Sequence, residues 1–106
     1  EKMKNFWNEF VDQVAFVDYC PWEDVYSSKK NDLKKPCTEL WRRMYVWWDG
    51  VVNPCEVDFK STLTVGKIYK NNISSLWTSS VYDDLRKKHQ LKLRNNIDPC
   101  SKCVVI

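Results

Sequence analysis

Along residues 3–11, MKNFWNEFV, the apolar positions Phe6, Trp7, Phe10 and Val11 recur at i, i+1, i+4 and i+5, which predicts a helix with one apolar side. The run that follows, DQVAFVDY, contains neither Gly nor Pro and predicts a short buried strand over residues 13–19. A helix running into a strand is the second half of a βα-type unit, and no earlier strand is there to pair with it. With Glu1 in place of an initiator Met, the sequence is expected to be a fragment or a trimmed product.

Between Pro21 and Pro36 the pattern loses its period, and PWEDVYSSKKNDLKKP is expected to be loop. Alternation then takes over. Arg43, Tyr45 and Trp47 alternate with Met44, Val46 and Trp48, and Asp49-Gly50 is a two-residue turn signal, so a hairpin is predicted with strands near residues 43–48 and 51–57. After TVGKIYKNN a helical period returns, with Leu76, Trp77, Val81, Leu85 and Leu91 on one side, predicting a long helix over residues 73–90. RNNIDP ends it. The expected fold class is α+β: an N-terminal helix–strand, a β-hairpin, a long C-terminal helix and a cysteine-rich tail. No internal repeat or low-complexity segment interrupts this order.

The chain of 106 residues bounds the answer to one domain, and its 43% hydrophobic content with six Trp is enough for a core. A net charge of +3 is too small to argue for a nucleic-acid partner. No apolar run approaches the roughly 20 residues of a membrane span, and no signal-peptide pattern opens the chain.

Five cysteines change the picture more. An odd number fits a fully paired disulfide framework poorly, so reduced thiols in a cytoplasmic setting are expected, four for a metal and one left over. Cys37 precedes the first hairpin strand and Cys55 lies in the second, so closing the hairpin at Asp49-Gly50 brings the two together. Cys100 and Cys103 form a Cys-x-x-Cys pair after the long helix. Two such pairs meet the requirement of a tetrahedral thiolate site or of a cubane cluster, and soft thiolates select zinc or iron–sulfur over hard cations. Spacing alone does not separate those two outcomes.

Other residues receive plainer readings. Cys20, in DYCPW, is expected to be a small buried side chain at a strand end. His89, in RKKHQ, is expected on a solvated helix face. Arg86, Lys87, Lys88, Lys92 and Arg94 form a basic cluster that complements the helix dipole. Asp49 is expected to serve its turn and Asp58 to lie at the surface. Most Trp residues are expected in the core, where they would help keep a metal site dry.

These cysteines carry a resemblance. Cys37, twelve residues, Gly50, four residues, Cys55, and then Cys100-x-x-Cys103 resembles the C-terminal auxiliary-cluster domain of radical S-adenosylmethionine enzymes, called Twitch in its one-cluster form and SPASM in its two-cluster form. LWRRMYVWWDGVVNPCEVD resembles that family's strand–DG–strand–Cys segment. VGKI resembles its Gly-Asn-Ile-like step, with Lys67 where Asn is usual, and SSLWTSSVYDDLRKKH resembles its helix.

The resemblance implies one 4Fe-4S cluster ligated by Cys37, Cys55, Cys100 and Cys103, used to accept an electron from a substrate radical, to relay electrons, or to bind substrate at an open iron. Four thiolates would fill every iron site, which favours electron transfer. No cysteine follows Cys103, so the one-cluster form is expected. The implied division is residues 1–20 as the end of a catalytic barrel, 21–36 as linker and 37–106 as the Twitch-like domain.

S-adenosylmethionine would bind only in the missing barrel, because no Cys-x-x-x-Cys-x-x-Cys occurs here and this chain alone should be inactive. Its partners would be that barrel, an electron donor, and a peptide or small-molecule substrate. The alternative is a four-cysteine structural zinc module for protein or nucleic-acid interaction.

Overall fold

A computed structural model describes residues 1–17 and 24–106. In chain order the elements are α1 (Lys2–Trp7), β1 (Tyr45–Val46), β2 (Val51–Asn53), β3 (Gly66–Lys67), α2 (Ile73–Trp77) and α3 (Ser80–Gln90), with short 3-10 turns between them. The three strands form one antiparallel sheet in the order β1-β2-β3, with Val46 opposite Val52 and Val52 opposite Gly66. The expected α+β class is the one observed.

The hairpin closes through three residues instead of two. Trp47 N donates to Val51 O at 2.8 Å and Gly50 N to Trp47 O at 2.9 Å, so residues 48–50 make the loop. Gly50 takes the left-handed position at φ 83°, and a Cβ there would meet Tyr69 Cε1 at 2.3 Å. Tyr69 lies over the turn and its hydroxyl donates to Asp49 O, while Asp49 Oδ1 accepts from Val51 N as a turn residue should. Only Gly satisfies both the backbone and the ring above it.

The long helix predicted over residues 73–90 is two. Asn72 caps α2 by accepting from Ser75 N at 2.7 Å, and Ser79 caps α3 by accepting from Tyr82 N at 3.4 Å. A helix N-cap leaves the helical region of backbone space, so Ser79 breaks the run despite continuous apolar periodicity. The exposed side of α3 is supported by the pairs Asp83–Lys87 at 2.8 Å and Asp84–Lys88 at 2.9 Å. At its end Leu93 N donates to Lys88 O and Lys92 N to His89 O, a Schellman closure with Lys92 at φ 62°. That reversal turns Arg94 inward.

Two apolar clusters result. The larger joins Leu40, Val52, Val65, Leu76, Tyr82 and Leu85, and the smaller joins Val25, Val57 and Cys103. Aliphatic side chains and Tyr82 fill them, with half-buried Trp77 packed against the larger, while Trp7, Trp41 and Trp48 are exposed, the last at 98%. The expectation of a Trp core holds only for Trp77; Trp48 lies in the hairpin loop, and Trp47 beside it is half-buried, its Nε1 donating to Ser61 Oγ at 2.8 Å.

At the N-terminus α1 forms within the predicted helix but buries nothing. No strand forms over residues 13–17, where no neighbouring strand is available; the last two residues of that predicted strand, and Cys20, lie outside the described residues. No helix among the described residues is long and apolar enough to cross a membrane.

Candidate metal centre

Four segments bring the cysteines together. Cys37 precedes a 3-10 turn at Thr38–Trp41 and packs on the larger cluster. Cys55 lies two residues past the end of β2, beyond Pro54, and not within the strand as expected. Cys100 opens the turn Cys100–Lys102, and Cys103 follows it. All four line one cavity of about 260 Å³, walled on its apolar side by Leu40, Val57, Leu63 and Val105. None is in a disulfide.

A single tetrahedral zinc would need its sulfurs roughly 3.8 Å apart, given Zn–S bonds of about 2.3 Å. Among the described residues no three His, Cys, Asp or Glu side chains are gathered tightly enough to hold one ion. The four thiols share the lining of this cavity with Arg94 and His89.

The cysteine loops are held by buried polar contacts that charge patterning did not reveal. Asp58, expected at the surface, is fully buried. Its carboxylate accepts from Tyr26 Oη, Thr62 N, Thr62 Oγ1 and Leu63 N, which fixes the loop after Cys55. Asn53, equally buried, donates through Nδ2 to Cys55 O and to Asp58 O. On the other side Asn31 Nδ2 donates to Cys103 O at 3.1 Å, and Lys102 Nζ to Tyr26 O at 2.7 Å. The loop before Cys37 and the tail are thereby stitched together.

Arg94 does not belong to a surface basic cluster. It is 1% exposed, and its guanidinium donates to the carbonyls of Lys35 (2.8 Å), Val105 (3.0 Å), Cys103 (3.1 Å) and Cys100 (3.4 Å). One side chain thus ties the segment before Cys37 to the Cys-x-x-Cys loop. Arg86 also leaves the cluster: it donates to Leu40 O and Trp77 O and stacks on Trp77 and Tyr82.

His89 is likewise no solvated residue. It is 1% exposed, lines the cavity, and accepts through Nδ1 from Cys37 N at 3.1 Å. Burial, and then the Arg94 charge, push its pKa down to about 4, so the ring is neutral near pH 7.

One sulfur meets a backbone donor: Val105 N donates to Cys103 Sγ at 3.4 Å, and the backbone amides of Val57 and Asp58 near Cys55, and of Glu39 near Cys37, favour the thiolates. Burial nevertheless raises the Cys37 thiol, Cys55 to about 11 and Cys100 to about 12, while Arg94 pulls Cys37 and Cys100 back down. Such thiols ionise when a metal takes the place of the proton.

The donor set fits an anionic, sulfur-ligated group. Four soft thiols line one cavity, the Val105 N–H donates to Cys103 Sγ, and two lining residues keep a buried nitrogen without a partner, Arg94 Nε and His89 Nε2. Among proteins, a small α+β domain with this site falls in the class of metal-cluster binders. The family model of the SPASM iron–sulfur cluster-binding domain matches residues 37–104, well over half of the chain, and the chain belongs to that family. No curated protein and no solved structure matches it.

Proposed function

We propose that this chain is the C-terminal part of a radical S-adenosylmethionine enzyme in which Cys37, Cys55, Cys100 and Cys103 hold one auxiliary 4Fe-4S cluster used for electron transfer. The observation that carries the reading is the convergence of four cysteines on one cavity, in a chain of an iron–sulfur family. The family match weighs against the structural zinc module.

When bound, the cluster supplies a one-electron store whose potential follows from burial and from hydrogen bonds to its sulfurs. The chain's own residues then do three things. Asn53 and Asp58 hold the Cys55 loop, Arg94 holds the Cys100–Cys103 loop against the segment before Cys37, and the apolar wall keeps water away.

Generation of the radical belongs to a barrel domain that carries the Cys-x-x-x-Cys-x-x-Cys absent here, with S-adenosylmethionine bound there. The exposed apolar side chains Phe6, Trp7 and Phe10 suit contact with such a domain. An external electron donor and a peptide or small-molecule substrate complete the reading, in a cytoplasmic setting that keeps thiols reduced.

Two observations test it. The coding sequence upstream of Glu1 is expected to encode Cys-x-x-x-Cys-x-x-Cys after a first strand, and a start codon immediately before Glu1 would overturn the enzyme context. The anaerobically reconstituted chain, reduced with dithionite, is expected to give the paramagnetic resonance of a reduced cluster. A diamagnetic chain holding one tight zinc would instead make the site a structural clasp.

A further inference from the structure

Two buried nitrogens on residues lining the cysteine cavity are unpaired: Arg94 Nε and His89 Nε2. Unpaired buried donors are rare in folded proteins and destabilising. The His89 tautomer follows from its partner. Since Nδ1 accepts the Cys37 amide, the ring proton sits on Nε2, which is therefore an N–H donor without an acceptor. Arg94 has a second deficit. All four of its acceptors are neutral carbonyls, and no carboxylate pairs with it among the described residues. A buried cation without a counter-charge is costly unless an anion is supplied.

We infer that Arg94 and His89 are positioning residues of the cluster site, with Arg94 Nε–H and His89 Nε2–H donating to its sulfurs and the Arg94 charge offsetting its negative charge. The inference rests on the cluster reading above. A thiolate-bound cluster is an anion in both oxidation states and becomes more negative by one charge on reduction. A fixed cation and two N–H donors stabilise the reduced form more, and so raise the potential. The step is the uptake of one electron, supplied in the test by dithionite, with no bond made or broken.

The experiment is a redox titration of the reconstituted chain, followed by electron paramagnetic resonance, with iron and sulfide counted in each sample. Arg94→Gln is expected to shift the equilibrium at least tenfold toward the oxidised cluster, about 59 mV for a one-electron couple. Arg94→Lys, which keeps the charge, should lie nearer the wild type.

Because Arg94 also ties loops together, His89→Asn provides the second arm. Asn keeps an acceptor for the Cys37 amide and removes the Nε2–H, and it should lower the potential several-fold in equilibrium terms at full occupancy. Failure of the wild-type chain to take up a cluster would sink the cluster reading. A loaded wild type with Arg94→Gln and His89→Asn reduction equilibria within twofold of it would overturn this inference alone, as would loss of the cluster from both variants. If only Arg94→Gln loses the cluster, His89→Asn decides.

Discussion

Residues 1–17 and the cysteine-bearing half are both rich in apolar side chains, yet they end in opposite states. In the first, Phe6, Trp7 and Phe10 touch one another edge to face and stay about half exposed or more. In the second, small aliphatic groups close two clusters, and the polar residues Asn53, Asp58, His89 and Arg94 disappear into the interior. Periodicity specifies a helix in either region. Burial also requires a surface to pack against and partners for the backbone groups that go under with it. The cysteine half supplies both from its own loops.

The comparison is broken most severely at the ligands. Cys55→Ala or Cys100→Ala should remove most of the iron and sulfide taken up on anaerobic reconstitution, whereas Cys20→Ala should leave it nearly unchanged. Equal losses in all three would refute the ligand set. Next in size is the support beneath Cys55: Asp58→Ala leaves Tyr26, Thr62 and Leu63 donors without their acceptor and should cost about 3 kcal/mol in a denaturant titration. Tyr82→Phe removes only the bond from its hydroxyl to Arg43 O and should cost about 1 kcal/mol by the same measurement. Smallest of all, Phe6→Ser with Phe10→Ser should change the stability of this chain by less than about 0.5 kcal/mol, because both side chains stay more than half exposed. A loss comparable to that of Asp58→Ala would show that the N-terminal segment packs on the cysteine half after all.

What could be read from sequence was whatever local chemistry decides. The Asp-Gly turn, the β-rich runs around it and the helical period after Ile73 gave the hairpin and the helical region. The cysteine spacing gave the four residues that line the cavity. The failures around the cavity share one cause: side chains with a partner far along the chain. Arg94 reaches Lys35, Asp58 reaches Tyr26, and His89 reaches Cys37, and none of those separations leaves a periodic trace.

A signal did exist for two of them. Lys87 and Lys88 have Asp83 and Asp84 four residues earlier, the mark of an exposed pair, while His89 follows Leu85 and Tyr82 on the buried stripe. Arg94 has Gln90 four residues before it, and so no acid to hold it at the surface.

The contrast between the two regions comes down to what fills the space among the four thiols. Metal and sulfide analysis of the anaerobically reconstituted chain measures this directly. About four irons and four sulfides per chain, lost together on Cys55→Ala, is the result a cubane on Cys37, Cys55, Cys100 and Cys103 requires. About one zinc per chain that iron and sulfide fail to displace would contradict it.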